Sequence, residues 1–457
     1  MKIGLRGLIG LCWLAYFGTT TAQELTVAQQ YSRNRAGVVM IRTDISATVN
    51  VSQVTINNLA FNRLLDSIQR ITPDSGRLSS EQQLDIVLRE FNNKAKNYFK
   101  STFNYFRHQQ KLSARATGFI VTGDGYVVTN CHVVDEDDAY IKRRFILSAF
   151  REITETNIKA IESAWAVKFS DQQRSTLFRT FANVYSQIMP ITLENLKKDV
   201  FVLVTEEKQN PGTIIKDIPA EIKVMGQSMP GKDLAILKMN GDKEFPTIRI
   251  SSSDEVQVGR EVYVYGFPAA VTNNEFLSEQ TVLEPTLTKG IISALKKSIK
   301  GWPVIQMDAN INHGNSGGPV CNEKGEVIGI TTFGSLEDNA RTLAPGLNFA
   351  IPTLVLREFL LEAEVKPHQS KATLEFNKAI GFFEKAYYSR ALGRFKKLSK
   401  SNPGYPGVYD YINRSEKYIQ DGKDQRPGVA AWIGVFSIII IGAGYFFFVY
   451  GERKGQG

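Results

Sequence analysis

From Gly118 to Val134 the chain reads GFIVTGDGYVVTNCHVV, two β-branched runs on either side of Gly-Asp-Gly, which is the pattern of a tight hairpin. Short apolar runs of strand type recur in DLAILK (233–238), VYVYG (262–266), IISA (291–294) and VIGITT (327–332), each bounded by glycine, proline or charge. Two stretches change period. In the first, about 57–112, Leu84, Val87, Phe91, Tyr98, Phe103 and Phe106 recur at helical spacing behind Ser80 and Gln83, which have the form of a capping box. The second, about 137–198, carries the same box at Ser170 and Gln173. The pattern therefore predicts a mainly β domain over 23–352 interrupted by two helical insertions. Loops of that length inside a compact domain are functional elements or are packed onto it by their aromatic stripes.

Past a predicted helix at 353–364 the chain turns helical again. In YYSRALGRFKKLSKSNPGYPGVYDYI, Ala391, Phe395, Leu398 and Pro403 fall at the offsets of a tetratricopeptide repeat, with Ala379 and Phe382 in the helix before. This predicts a helical, TPR-like segment over 353–425. The ends are apolar. Lys2 and Arg6 precede an apolar run and small residues ending at Ala22, the layout of a secretory signal over 1–22. Residues 428–450 hold no charge and include Trp432 and Tyr450, long enough for one transmembrane helix with a short tail at 451–457 on the cytoplasmic side.

Charge changes this picture little. A net +9 and pI near 9.2 come with no nucleic-acid motif, and read as spread along an exported chain they suggest only weak attraction to anionic surfaces. Once the signal is removed two cysteines remain, Cys131 and Cys321, so this is no disulfide scaffold; they pair or stay as separate buried thiols. No metal or cofactor motif is present.

The chemistry lies in INHGNSGGPVC (311–321), where Ser316 stands among glycines. Such a stretch is a plain turn between strands, or else a nucleophile whose neighbouring amides must face a developing oxyanion. The second reading needs a base and a carboxylate. Of four histidines, His108 and His368 lie in polar surface segments and His313 is too near Ser316 in sequence, which leaves His132; Asp233 opens an apolar strand a hundred residues later. The order His132, Asp233, Ser316 is that of the chymotrypsin-type triad.

TNCHVV, DLAILK, VGREVYVYGFP, TKGIISA, NINHGNSGGPV, GEVIGITT and LNFAIP resemble, in order and spacing, the protease domain of the HtrA/DegP family of trypsin-like serine proteases. The resemblance covers residues 36 to 352 apart from the insertions. It implies a chymotrypsin-like double β-barrel, with His132 as general base, Asp233 as its orienter, Ser316 as nucleophile, and the amides of Gly314 and Ser316 as the oxyanion hole. Cys131 and His313 depart from the family pattern without removing a triad member, and no PDZ domain is evident. By the geometry of trypsin-like folds the primary pocket is lined by Asn310 and Ile311 and by Phe333 in the wall from Thr331 to Gly334, and so takes small or medium apolar side chains. The expected protein is a serine endopeptidase of unfolded or regulatory proteins, held by a single-pass anchor at a bacterial cytoplasmic membrane with its catalytic domain outside. Its partners would be protein or peptide substrates and no nucleic acid; homo-oligomerisation stays open. The alternatives are an inactive peptide-binding scaffold and a chaperone-like quality-control factor.

Overall fold

Twelve strands close into two six-stranded barrels in the computed structural model, which describes residues 25–71, 78–208, 213–253, 256–272, 276–278, 282–336, 343–425 and 440–443. The first barrel runs in the order β1 (Val38–Ile56), β2 (Phe99–Ile120), β3 (Tyr126–Thr129), β6 (Ala235–Met239), β5 (Thr213–Met225), β4 (Thr192–Glu207). The second runs β10 (Pro319–Cys321), β11 (Val327–Leu336), β12 (Leu343–Pro352), β9 (Pro303–Met307), β8 (Thr286–Lys297), β7 (Glu261–Gly266). The Gly-Asp-Gly hairpin joins β2 to β3, with Phe119 opposite Val128 and Gly125 in the left-handed region at φ 102°.

The run VYVYG has no polar face because both its faces are buried. Val262 and Val264 point into the second barrel with Ile292, Ile305, Met307 and Val320. The alternate residues Tyr263 and Tyr265 join a larger core with Phe119, Val128 and Ile236 of the first barrel and Val355, Leu356 and Phe359 of the helix Thr353–Glu362.

Two compact units divide the chain: residues 1–42, 115–133 and 201–457, and residues 43–114 and 134–200. The second unit has its own core, in which Phe91 meets Tyr98, Phe99 and Trp165, and Trp165 stacks on Phe61 at 5.3 Å. Its helix Ser80–Asn93 is capped by Ser79 with Gln82, one residue earlier than the expected pair; the helix Asp171–Asn183 is capped by Ser170 with Gln173 as expected. The expected helical stripe does not extend to Phe103 and Phe106. Lys94 ends the helix, the aromatic, β-favouring run from Phe99 enters β2, and both phenylalanines are exposed.

In the first unit the helices Lys371–Glu384, Tyr388–Ser401 and Val408–Gln420 bury Phe376, Phe395 and Tyr411 among themselves. A chain of buried hydroxyls fixes them to the first barrel. Thr373 Oγ1 accepts from the Thr247 amide at 2.9 Å, Ser370 N–H donates to Thr247 Oγ1 at 2.9 Å, and the Ser370 hydroxyl donates to Thr373 Oγ1 at 3.0 Å. Ser370 also covers Gly123 of the hairpin, where an added Cβ would lie 2.9 Å from its own.

Two expectations need correction. The fold is not mainly β: it has 41% helix and 32% strand, because the insertions and the C-terminal segment fold as helices that together outweigh the barrels. The transmembrane helix expected over 428–450 falls as well. Among the described residues no helix is long and apolar enough to cross a membrane. Of that span only residues 440–443 are described, four helical residues where a crossing needs about 20, and the rest lies outside the described residues, as does the signal expected over 1–22. The membrane anchor and the placement at a bacterial cytoplasmic membrane fall with it.

Candidate active site

His132 follows β3 in a single helical turn, Cys131–Val134, and Asp233 precedes β6, which pairs with β3 from Tyr126–Lys238 to Thr129–Ala235. The pairing of these two strands brings the residues together across a hundred positions of sequence. Asp233 is fully buried, and its carboxylate is saturated. Oδ1 accepts from the His132 backbone N–H at 2.9 Å; Oδ2 accepts from His132 Nδ1 at 2.7 Å and from the Thr332 hydroxyl at 2.7 Å. Such a set of donors is what an ionised buried carboxylate requires. An ionised carboxylate only accepts, so Nδ1 carries the proton and Nε2 presents its lone pair. The imidazole is 40% exposed while its partner is wholly buried, so the pair is anchored on one side and open on the other.

Ser316 lies in the turn between β9 and β10. Its hydroxyl donates to the carbonyl of Thr332, the residue whose own hydroxyl holds Asp233, at 3.2 Å. Glycine is required on both sides of it. Gly314 has φ 98° and a Cβ there would stand 2.3 Å from the Phe267 carbonyl oxygen; Gly317 has φ 84° and a Cβ would stand 2.2 Å from the Thr117 carbonyl oxygen. The His313 carbonyl accepts from the Ala269 N–H at 2.6 Å, and because the peptide is trans, the Gly314 N–H points the opposite way. Among the described residues neither the Gly314 nor the Ser316 amide donates a hydrogen bond.

Thr117, at the inner end of β2, ties the two halves together. Its N–H donates to the Ser316 carbonyl at 2.9 Å and its hydroxyl to the Gly314 carbonyl at 2.7 Å; its carbonyl accepts from the Thr129 hydroxyl at 2.8 Å, three residues before His132. Neither Thr117 nor Thr332 was singled out by sequence, since a hydroxyl bonded to backbone far along the chain leaves no periodic trace.

Of the expected pocket residues, two have described side chains. Asn310 is exposed and its carbonyl accepts from the Thr288 hydroxyl at 3.0 Å, while Ile311 is buried in the core of the second barrel. The side chain of Phe333 lies outside the described residues. His313 is exposed. Cys131 and Cys321 are both buried and form no disulfide, and burial pushes the Cys321 thiol well above the ordinary range, which makes it inert as a nucleophile. Among the described residues no group of side chains could hold a metal ion.

Residues 116–330 match the family model of the trypsin-like peptidase domain. The chain is 30% identical over 183 residues to the rat protein named serine protease HTR4, an alignment covering 38% of this chain and 33% of the relative. It is 28% identical over 215 residues to serine protease HTRA1 of Xenopus laevis, covering 46% and 40%. To the probable periplasmic serine endoprotease DegP-like of Ectopseudomonas mendocina (strain ymp) it is 29% identical over 247 residues, covering 53% and 34%. The chain thus spans about a third of the length of the curated relatives it matches. By its barrels, its ordered motifs and these alignments, the chain is similar to the HtrA-like, trypsin-type serine proteases, with the peptidase-domain match over residues 116–330.

Proposed function

We propose that the protein is a serine endopeptidase that cleaves polypeptides through an acyl-enzyme, with Ser316 as nucleophile, His132 as general base and acid, and Asp233 as the group that orients and stabilises His132. The observation that carries this reading is the fully buried Asp233 carboxylate, which takes both the backbone N–H and the Nδ1–H of His132 at 2.9 and 2.7 Å. That arrangement fixes the tautomer with Nε2 basic. For attack the Ser316 hydroxyl turns from the Thr332 carbonyl to Nε2, gives up its proton there, and Oγ adds to the scissile carbonyl. The imidazolium formed is stabilised by the Asp233 charge. The unengaged amides of Gly314 and Ser316 take the oxyanion, and His132 then protonates the leaving amine before a water, activated the same way, releases the acyl group.

The test is labelling by a fluorophosphonate, which phosphonylates only an activated serine. The full chain should label at Ser316, and His132→Ala should label far more slowly. An unlabelled, folded protein that also fails to cleave an unfolded substrate such as casein would refute the reading.

A further inference from the structure

The net charge of the chain is not spread along it. Residues 371–420, the three C-terminal helices, hold ten lysines and arginines against four acidic residues, a net +6 of the total +9 in 50 of 457 residues. Several of these cations are neutralised locally: Arg394 and Lys378 pair with Glu375, Lys396 with Glu416, and Arg414 with Asp410. Three on the middle helix, Tyr388–Ser401, are not. Arg390, Lys397 and Lys400 are exposed and make no ion pair among the described residues; Lys397 contributes only a longer-range attraction to Glu375. At offsets 0, 7 and 10 they fall on one face of the helix, about 15 Å long at 1.5 Å per residue.

Gly393 lies on the same face, exposed, and a Cβ there would meet nothing within 4 Å. No positive φ, turn or internal packing explains a glycine in the middle of this helix, where it lowers helix stability. Its bare backbone lets another chain approach closely between the three cations. Among the described residues the aromatic rings beside the stripe are already engaged: Phe383, Tyr388 and Tyr418 are packed on one another, Phe382 lies under Arg390 and Arg394, and Tyr387 lies under Arg390. Single-stranded nucleic acid is bound by cations together with stacking platforms, so this surface suits a polyanion without bases. The buried hydroxyl chain through Thr247, Ser370 and Thr373 fixes the helices to the barrel that carries His132, so whatever docks here is held at a set place on the protease domain.

We infer that the face formed by Arg390, Gly393, Lys397 and Lys400 is a docking strip for an extended, acidic segment of a polypeptide. The inference does not depend on proteolysis and is tested without it. A fluorescein-labelled (Glu-Ala)8 peptide is titrated, by anisotropy, into the full chain carrying Ser316→Ala, at low salt and at about 0.3 M salt, where screening shortens the reach of charge to a few ångströms. Binding should weaken with salt. Arg390→Glu/Lys397→Glu/Lys400→Glu should reduce affinity by about tenfold or more, whereas (Lys-Ala)8 should bind neither protein. Should the triple variant fail to fold, Gly393→Leu, whose side chain enters open space, keeps the fold and obstructs the strip. It should lower peptide affinity at an unchanged melting temperature or a higher one. Undiminished peptide binding by a folded variant overturns the strip. Tighter binding of oligo(dT) or of phosphatidylglycerol vesicles than of the peptide, abolished by the same charge reversals, overturns the assignment of its partner.

Discussion

The two halves of the candidate active site are held by opposite means. On the histidine side, position comes from side-chain chemistry: one buried carboxylate with three donors at 2.7 to 2.9 Å, reached because β3 and β6 are paired in register. On the serine side it comes from the lack of side chains: Gly314 and Gly317 let backbone press against the carbonyls of Phe267 and Thr117 closer than any Cβ allows. The first kind of site keeps its shape when a residue is exchanged for an isostere but loses its electronics. The second keeps its electronics until an atom is added, and then loses its shape.

That contrast orders the expected effects of substitution. Ser316→Ala or His132→Ala should lower kcat by about six orders of magnitude with the fold retained, because nucleophile and base act as one unit; single-turnover hydrolysis of a peptide substrate measures it. Asp233→Asn preserves the volume but offers an amide to His132 and disfavours the proton on Nδ1, so a loss of about 10⁴ in kcat is expected with little change in KM. A smaller loss would mean that the orienting carboxylate is less important than its burial suggests. Gly314→Ala adds one methyl group against the Phe267 carbonyl and displaces an oxyanion amide. The expected cost is about 10²–10³ in kcat, about 3–4 kcal/mol, with fluorophosphonate labelling slowed in parallel. The smallest effect should come from the link between the halves. Thr117→Val removes the hydroxyl that holds the Gly314 carbonyl and accepts from Phe267 N–H, at about 1–3 kcal/mol of stability and about tenfold in kcat/KM, and Thr117→Ser should restore both. A valine variant as active as the parent would show that the serine turn is held by its glycines alone.

What could be read in the sequence follows the same division. The Gly-Asp-Gly hairpin, the strand opened by Asp233 and the glycines around Ser316 leave local marks: periodicity, a turn signal, a residue type that only one backbone shape requires. Thr117 and Thr332 leave none, because each acts through a hydrogen bond to backbone brought near by barrel closure. The capping register at Leu78-Ser-Ser-Glu-Gln-Gln83 was ambiguous on its face, since Ser79/Gln82 and Ser80/Gln83 have the same spacing; the structure uses the first. The aromatic run from Tyr98 to Phe106 fits a helical stripe as well as a strand, and strand propensity decided it after Lys94 ended the helix. The apolar run at 428–450 has the composition to span a bilayer; only its residues 440–443 are described, and among the described residues no helix is long and apolar enough to cross a membrane.

The clasp of Thr247, Ser370 and Thr373 also sets a schedule. During synthesis the triad is complete in sequence once Ser316 has been added, yet Tyr405, which donates to Thr373 Oγ1 at 3.4 Å and fills the core of the C-terminal helices, comes about 90 residues later. At about 5–20 residues per second that is an interval on the order of ten seconds. For that time the nascent chain holds His132, Asp233 and Ser316 but not the whole core behind the clasp that covers Gly123 of the hairpin. The last helices to be made therefore finish the core behind the clasp, and a chain interrupted before residue 405 lacks the tyrosine that packs against Thr373.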